Sequence, residues 1–235
     1  VRLNNHSEYG NHVVYNFNPS YNVSKSLKVL ASYSTAFIAP STYQLFSFYG
    51  NTDLQAEEDT TIEAGLSYNS STIEASSVFF YREEKNAIIL PSFVQYQNAD
   101  EILYARGLET EVKINAIEGV TLRIGHTYTN KSDDVDYIPE NKITAMLETD
   151  VLDKTYLSLQ FKNISERTYY DQWGTGADIN LDAYNLLDFH GSYKLIEDRL
   201  TVFANVSNIF NADYVETIGF TTKGRNFKVG INFNY

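Results

Sequence analysis

The chain has 235 residues, no cysteine, 19 tyrosines and 14 phenylalanines against four prolines and one methionine, and a net charge of −12. That length suits a single all-β domain rich in strand-forming aromatics, the missing thiols exclude disulfides and Cys-ligated metals, and the acidic balance excludes the basic footprint that nucleic acid needs. No apolar run approaches the roughly 20 residues of a membrane helix, but a membrane barrel is greasy only at alternate positions and escapes that test.

In chain order the pattern has a period of two. Odd positions from Val13 read Val13, Tyr15, Phe17, Pro19, Tyr21 and Val23, and the intervening positions are mostly Asn, His and Ser. The same alternation continues through Leu27–Phe37, Thr61–Tyr68 and Thr72–Arg82, then Val120–Asn130 and Ile143–Val151. It recurs at Leu157, Leu159 and Phe161, at Leu187, Phe189 and Tyr193, at Val202, Ala204 and Val206, and in the last segment, Asn226–Tyr235. Such alternation predicts strands with one greasy and one wet face.

The runs are about 10–13 residues long, against a mode of about 5–6 in soluble proteins and about 9–11 needed for a tilted membrane strand. The connections alternate in length. Tight turns are expected near Asn22–Ser26, Asn69–Ser71, Asn115–Gly119, Leu152–Lys154 and Ile196–Asp198. Long loops are expected at Asn4–Gly10, Ile38–Asp59, Pro91–Glu101, Lys131–Glu140, Ser165–Asp182 and Asn211–Gly224. Short turns on one rim and long loops on the other are the pattern of an up-and-down transmembrane barrel. A soluble β-sandwich is the competing reading, but its core gives no reason for strands so long or loops so unequal. Roughly 11–12 strands are expected, with Val1–Asn4 a stub too short to cross a bilayer. An odd count of full strands cannot close as bacterial single-chain barrels do, and open edges in lipid are costly. About half of a larger barrel is therefore expected. The chain opens on Val1-Arg2-Leu3 without a signal peptide, so it is read as mature or cut from something longer.

Several segments resemble the C-terminal barrel of TonB-dependent receptors. They are Tyr33-Ser34-Thr35-Ala36-Phe37-Ile38-Ala39-Pro40-Ser41, Phe48-Tyr49-Gly50-Asn51-Thr52-Asp53-Leu54-Gln55-Ala56-Glu57 and Ala105-Arg106-Gly107-Leu108-Glu109. Most specific is Asn208-Ile209-Phe210-Asn211-Ala212-Asp213-Tyr214, followed by Gly224-Arg225-Asn226-Phe227. In the second segment Thr52 and Ala56 stand where the family has prolines. Leu45-Phe46-Ser47-Phe48-Tyr49-Gly50-Asn51 is most similar to the vitamin B12 (cobalamin) receptors.

The resemblance implies a 22-stranded outer-membrane barrel of a Gram-negative bacterium. Residues 1–235 would form its C-terminal part, and the N-terminal barrel half, plug and TonB box would lie elsewhere. It implies energised uptake of a scarce large nutrient, cobalamin-like or an iron–siderophore, with no cofactor and no enzymatic chemistry. The implied partners are the N-terminal half with its plug, the TonB complex, the barrel-assembly machinery, and the bilayer with its lipopolysaccharide. A surface-exposed substrate-capture lipoprotein is a further candidate. Two alternatives stay open: a passive porin or structural barrel, and an outer-membrane hydrolase.

Eight loop aromatics are the candidate ligand-binding residues: Tyr43, Phe46, Phe48, Tyr49, Tyr169, Tyr170, Trp173 and Phe220. Large aromatic surfaces suit a bulky substrate with an apolar body. The competing role is an interfacial girdle, which suits those nearest strand ends, Tyr43 and Tyr170. Phe227, Val229, Ile231, Phe233 and Tyr235 are the candidate barrel-assembly signal, or simply a lipid-facing strand. The acidic groups Asp53/Glu57/Glu58/Asp59 and Asp133/Asp134/Asp136 are read as solvated loops. The spacing Asp134-x-Asp136 offers oxygens for Ca²⁺ but lacks the Gly and distal Glu of an EF-hand loop. His6, His12, His126 and His190 are scattered, without zinc-site spacing, and no Gly-x-Ser-x-Gly or phosphate loop is present.

Overall fold

The computed structural model describes residues 1–91, 94–132, 135–171 and 176–234. A two-stranded hairpin opens the chain, β1 (Arg2–His6) against β2 (Gly10–Val14). The principal sheet then contains β3 (Asn16–Phe17), β4 (Ser20–Asn22), β5 (Leu27–Ile38), β6 (Glu57–Asn69) and β7 (Ile73–Lys85). It continues with β10 (Leu103–Ile117), β11 (Val120–Lys131), β12 (Asn141–Thr149) and β13 (Thr155–Ile164). β16 (Tyr184–Ile196), β17 (Leu200–Ser207) and β18 (Asn226–Phe233) complete it. All neighbours are antiparallel, in the order β18-β17-β16-β13-β12-β11-β10-β7-β6-β5-β3, with β4 also on β5. Short ladders fill the loops: β8 (Ile88–Ile89) with β9 (Gln97–Asn98), and β14 (Arg167–Tyr169) with β15 (Ile179–Leu181). Among the described residues there is one short α-helix, α1 (Thr42–Phe46), capped at Ser41, whose hydroxyl accepts from Gln44 N–H while Gln44 Oε1 accepts from Ser41 N–H. Among the described residues no helix is long and apolar enough to cross a membrane, which says nothing of a β-barrel.

Register sorts every side chain of this sheet onto one of two faces. One is apolar across many strands: Tyr33 lies opposite Ile62 and Ile62 opposite Tyr81, Leu147 opposite Leu159 and Leu159 opposite Phe189, and Ala204 opposite Val229. The other is polar: Glu74 lies opposite Lys113 and Lys113 opposite Arg123, and His190 opposite Asn205. The apolar face is not a core. Phe17, Leu66, Phe227, Val229 and Ile231 are exposed, Val229 at 80%. Apart from Gly107, the buried residues of the described chain lie at the long-loop rim: Pro40, Leu54, Ala56, Ala87, Ile164, Arg167, Leu181, Tyr184 and Asn208. A sandwich would bury the greasy face between two sheets. This sheet turns it outward, which is stable only in an apolar solvent.

The apolar band runs obliquely to the register. Its first polar residue at the long-loop end is Glu83 on β7, Arg106 on β10, Asn130 on β11, Asn141 on β12, Asn163 on β13 and Asn185 on β16. Arg106 pairs one step below Glu83, Asn141 one step below Asn130, and Asn163 with Asn185 one step lower still. A level bilayer crossed by tilted strands requires that slope. Tyr33, Tyr81, Tyr104 and Tyr128 lie along its upper margin, and Tyr68 and Tyr193 along its lower one, as interfacial girdles do.

Two expectations are corrected, and a third is bounded more closely. Asn11–Val23 is not one strand but three pieces, β2, β3 and β4. Pro19 has no N–H to donate, although its carbonyl still accepts from Ala31 N–H at 3.0 Å. At Tyr15 the Thr35 hydroxyl replaces a backbone acceptor, 3.1 Å from Tyr15 N. Second, Asn4–Gly10 is not a long loop, because Ser7–Tyr9 turn directly between β1 and β2. Third, residues 2–4 of the stub Val1–Asn4 lie in β1, whose five residues pair with β2 and are too short to cross a bilayer. The final strand is observed over Asn226–Phe233, and Tyr235 lies outside the described residues.

Candidate ligand-binding rim

The long loops are built as two clasps. The first joins residues 39–56 to the described residues of 86–102. Asn98 is its hub: its carboxamide oxygen accepts from Gln55 N–H at 2.8 Å, and its NH₂ donates to the carbonyls of Gln55 at 3.0 Å and Asn86 at 2.7 Å. Asn51 donates to the Tyr96 carbonyl, and Tyr96 N–H to that of Tyr49. Leu54, Ala56 and Ala87 are its small buried core. From this base α1 and the residues after it project. Tyr43, Phe46 and Phe48 are 61%, 72% and 93% exposed. Tyr49 is half-buried, edge-on to Phe48 at 5.1 Å.

The second clasp joins the described residues of 132–140 and 165–183 to residues 208–225. Tyr137 N–H donates to the Thr168 carbonyl, and Tyr170 N–H to the Asp136 carboxylate at 2.7 Å. Arg167 is buried, stacks over Tyr184 at 5.0 Å and donates to the Val215 carbonyl at 2.7 Å. Glu216 accepts from the Tyr184 hydroxyl at 3.1 Å and lies 3.5 Å from Lys162 Nζ. The ring of Tyr214 packs 4.5 Å from that of Tyr184. Burial, reinforced by the Glu216 carboxylate, raises the Tyr214 phenol above its usual range.

Asn208 anchors this clasp to the sheet. Its backbone is left-handed at φ 53°, and it is almost fully buried. Its N–H donates to Asp188 at 2.7 Å, its NH₂ to the carbonyls of Ala212 and Lys223, and its Oδ1 accepts from Ala212 N–H. Arg225 donates Nε–H to the Ile209 carbonyl at 2.8 Å. The specificity of the Asn208–Tyr214 and Gly224–Phe227 segments thus has a cause: they staple a long loop shut at both ends.

The eight aromatics separate by role. Tyr43, Phe46, Phe48 and Phe220 project; Tyr43 sits on α1, edge-on to Tyr96 at 6.3 Å, rather than at a strand end. Tyr49, Tyr169 and Tyr170 are half-buried braces, with Tyr169 5.6 Å from Tyr137 and Tyr170 beneath Lys131 at 5.5 Å. Trp173 lies outside the described residues. Sequence reasoning passed over Tyr96, Tyr137, Arg167, Tyr184 and Glu216. Their partners are remote in sequence, so no local spacing marks them. The acidic groups are dispersed: Glu57 accepts from Ile88 N–H at 2.7 Å, while Glu58 faces His12 at 3.5 Å. Asp133 and Asp134 lie outside the described residues, and Asp136 is engaged by Tyr170. Among the described residues no group of three His, Asp or Glu is placed to hold a metal.

An outward apolar face, a polar opposite face, and loops confined to one rim define a transmembrane β-barrel wall. The model of the TonB dependent receptor-like β-barrel matches residues 1–209, and the chain belongs to that family. Among curated relatives, the vitamin B12 transporter BtuB of Vibrio cholerae is 25% identical over 274 residues, covering all of this chain and 39% of the relative. BtuB of Photobacterium profundum is also 25% identical, with 40% of its length covered. The chain therefore spans about two fifths of these relatives. The ferric enterobactin receptor PfeA of Pseudomonas aeruginosa superposes with a TM-score of 0.81 at 20% identity, over 97% of this chain and 41% of that one. The siderophore receptor PirA of the same organism gives 0.75 at 23% identity over the same shares. At these identities the two structures speak for the fold alone.

Proposed function

We propose that this chain is the C-terminal part of an outer-membrane receptor of a Gram-negative bacterium. The receptor takes up a scarce large nutrient, cobalamin-like or an iron–siderophore, by TonB-energised transport. The observation that carries the reading is the contrast between the rims. One has only tight turns; the other spends its buried residues on two hydrogen-bonded clasps that hold Tyr43, Phe46, Phe48 and Phe220 out to solvent. A passive pore needs no such braced aromatic surface. The BtuB relatives are vitamin B12 transporters by name, which makes cobalamin the first ligand to try.

In this reading the long-loop rim is extracellular and the polar face lines the lumen. There the Glu74–Lys113 pair (2.7 Å) and Arg123 line a recess of about 560 Å³, while Glu148 pairs with Arg123 (3.0 Å) and accepts from the Tyr156 hydroxyl (2.8 Å). That charged but paired wall suits a plug held by polar contacts. The apolar residues of β18, Phe227 to Phe233, are the exposed face the assembly machinery would meet.

The test uses the whole receptor in outer membranes. Phe46→Ala, Phe48→Ala and Phe220→Ala together should weaken binding of cyanocobalamin or a ferric siderophore about ten-fold or more, as loss of desolvated aromatic anchors does. Assembled receptor should be unchanged. Unaltered binding of every ligand the receptor takes, or uptake indifferent to collapse of the proton-motive force, would overturn the proposal.

A further inference from the structure

The outward apolar face is interrupted by a polar strip. Ser77 and Thr110 lie opposite each other on β7 and β10, with hydroxyls 3.0 Å apart. Thr110 lies opposite His126 on β11, and His126 Nε2 donates to Asn141 Oδ1 on β12 at 3.0 Å. Above the strip, Arg106 and Asn130 lie opposite each other at the upper margin of the apolar band, each four residues along its own strand from Thr110 or His126. At about 3.3 Å per residue and about 40° of tilt, His126 is about 10 Å below that margin. Arg106 Nε donates to Asn130 Oδ1 at 3.2 Å, and its guanidinium lies 5.7 Å from the Tyr104 ring centre. Among the described residues it makes no ion pair. Glu83, opposite Tyr104 on β7, accepts instead from the Tyr81 hydroxyl at 2.8 Å. Hydrocarbon tails offer the strip no hydrogen bonds, and an ionisable side chain at this depth is rare and marks function.

We infer that Arg106 and the strip below it form a binding site for one outer-leaflet lipid, the lipid A part of lipopolysaccharide, held by a sugar phosphate at Arg106 and a hydroxylated acyl chain at His126. The groups left over after internal pairing identify the occupant. The terminal N–H groups of Arg106 suit an oxyanion, as basic side chains at a membrane surface do. With Nε2–H spent on Asn141, the single-proton form of His126 presents Nδ1 as an acceptor. Ser77 and Thr110 share one hydroxyl hydrogen between them and keep the other, with spare lone pairs. A ligand group at this depth must therefore donate as well as accept. The ester carbonyls of a glycerophospholipid only accept, and its tails carry nothing polar beneath them. A hydroxyl partway down an acyl chain does both, and lipid A joins such chains through amides to a phosphorylated sugar. Asn141 lies opposite Tyr128, between the two polar levels, and its NH₂ is placed to donate to that amide carbonyl. Leu108 and Tyr128, opposite each other at the same level, supply the apolar wall for the chain. The inference rests on the long-loop rim being the extracellular one, as proposed above, and not on the nutrient carried.

Native mass spectrometry of the whole receptor in detergent micelles, titrated with purified lipid A, tests the site. The parent should bind lipid A about ten-fold more tightly than an analogue whose acyl chains lack the hydroxyls, and more tightly than phosphatidylglycerol, whose acyl chains carry none. His126→Leu combined with Thr110→Val should abolish the preference for the hydroxylated form, with assembled receptor undiminished because both replacements suit the lipid face. Arg106→Gln should weaken both forms of lipid A about ten-fold and leave the preference between them. Asn185→Leu, at the same margin on β16, should change neither. Equal affinity for the two forms of lipid A or for phosphatidylglycerol, a preference that survives His126→Leu with Thr110→Val, an Arg106→Gln receptor that binds as the parent does, or an equal loss in Asn185→Leu would each overturn the proposal. Nutrient binding by the same preparations is a separate readout, so a failure here is distinguishable from failure of the transport reading.

Discussion

At the scale of single residues, the most consequential side chain is Asn208. It combines a left-handed backbone with five hydrogen bonds, one of them from Asn211 N–H to its carbonyl, in near-complete burial. Asn208→Ala removes three of those bonds, leaves the Ala212 N–H and two carbonyls without their partner, and places a Cβ-bearing residue without local support in the αL region. An orphaned buried group costs about 1–3 kcal/mol. The substitution should therefore destabilise the second clasp by about 2–4 kcal/mol, and residues 209–225 should become sensitive to limited proteolysis in assembled receptor. Asn208→Asp, which keeps the acceptor for Ala212, should recover part of that protection. Cleavage no faster than in the parent would contradict the hub role. The motif containing Asn208 was legible in the sequence, but the reason for it was not: its partners Asp188 and Lys223 lie 20 and 15 residues away. Gly107 teaches a similar lesson. In the Gly-Leu-Glu segment it lies opposite Phe80, and an added Cβ would collide first with the Tyr128 backbone carbonyl and then with the Phe80 ring. Phe203 covers Gly230 on the same polar face with its ring.

Among elements, the strands were legible because a period of two survives any tertiary context in which one face meets lipid. Their ends were less so. The Asn11–Val23 segment keeps the alternation through Pro19, and the alternation cannot reveal a missing donor or a threonine hydroxyl replacing a carbonyl. The clasps were invisible for a different reason: they are contacts between loops, as between Gln55 and Asn98 or Tyr137 and Ile218. Asn98→Ala removes all three bonds of the first hub. Hydrogen exchange at the Gln55 amide should then accelerate by at least ten-fold, about 1.4 kcal/mol of lost protection, while amides of β12 and β13 keep their rates. Equal acceleration in both places would mean global destabilisation instead of release of a clasp. The facing of β13 is tested separately. Leu159 lies on the apolar face and Gln160 on the polar one. Leu159→Arg should cost about 2–4 kcal/mol and lower the amount of heat-modifiable, assembled barrel, whereas Gln160→Arg should be tolerated. Similar yields of the two would contradict the assignment.

For the whole molecule, the sheet's outer strands β18 and β3/β4 have a partner on one side only within the described chain. Together with the chain's span of about two fifths of its BtuB relatives, this supports the reading of a barrel wall completed by further strands. Everything else in the account follows from the greasy face being the outside. It explains why the buried residues sit at the loop rim, why the apolar band slopes across the register, and why the charged pairs lie on the opposite face. A spin-label scan along β13 in the whole receptor, reconstituted in a bilayer, tests that claim most directly. Labels at positions 157, 159 and 161 should be relaxed mainly by lipid-soluble oxygen, and labels at 158, 160 and 162 should not, giving an oscillation of period two in phase with the alternation. Absence of that oscillation, or the opposite phase, would contradict the account.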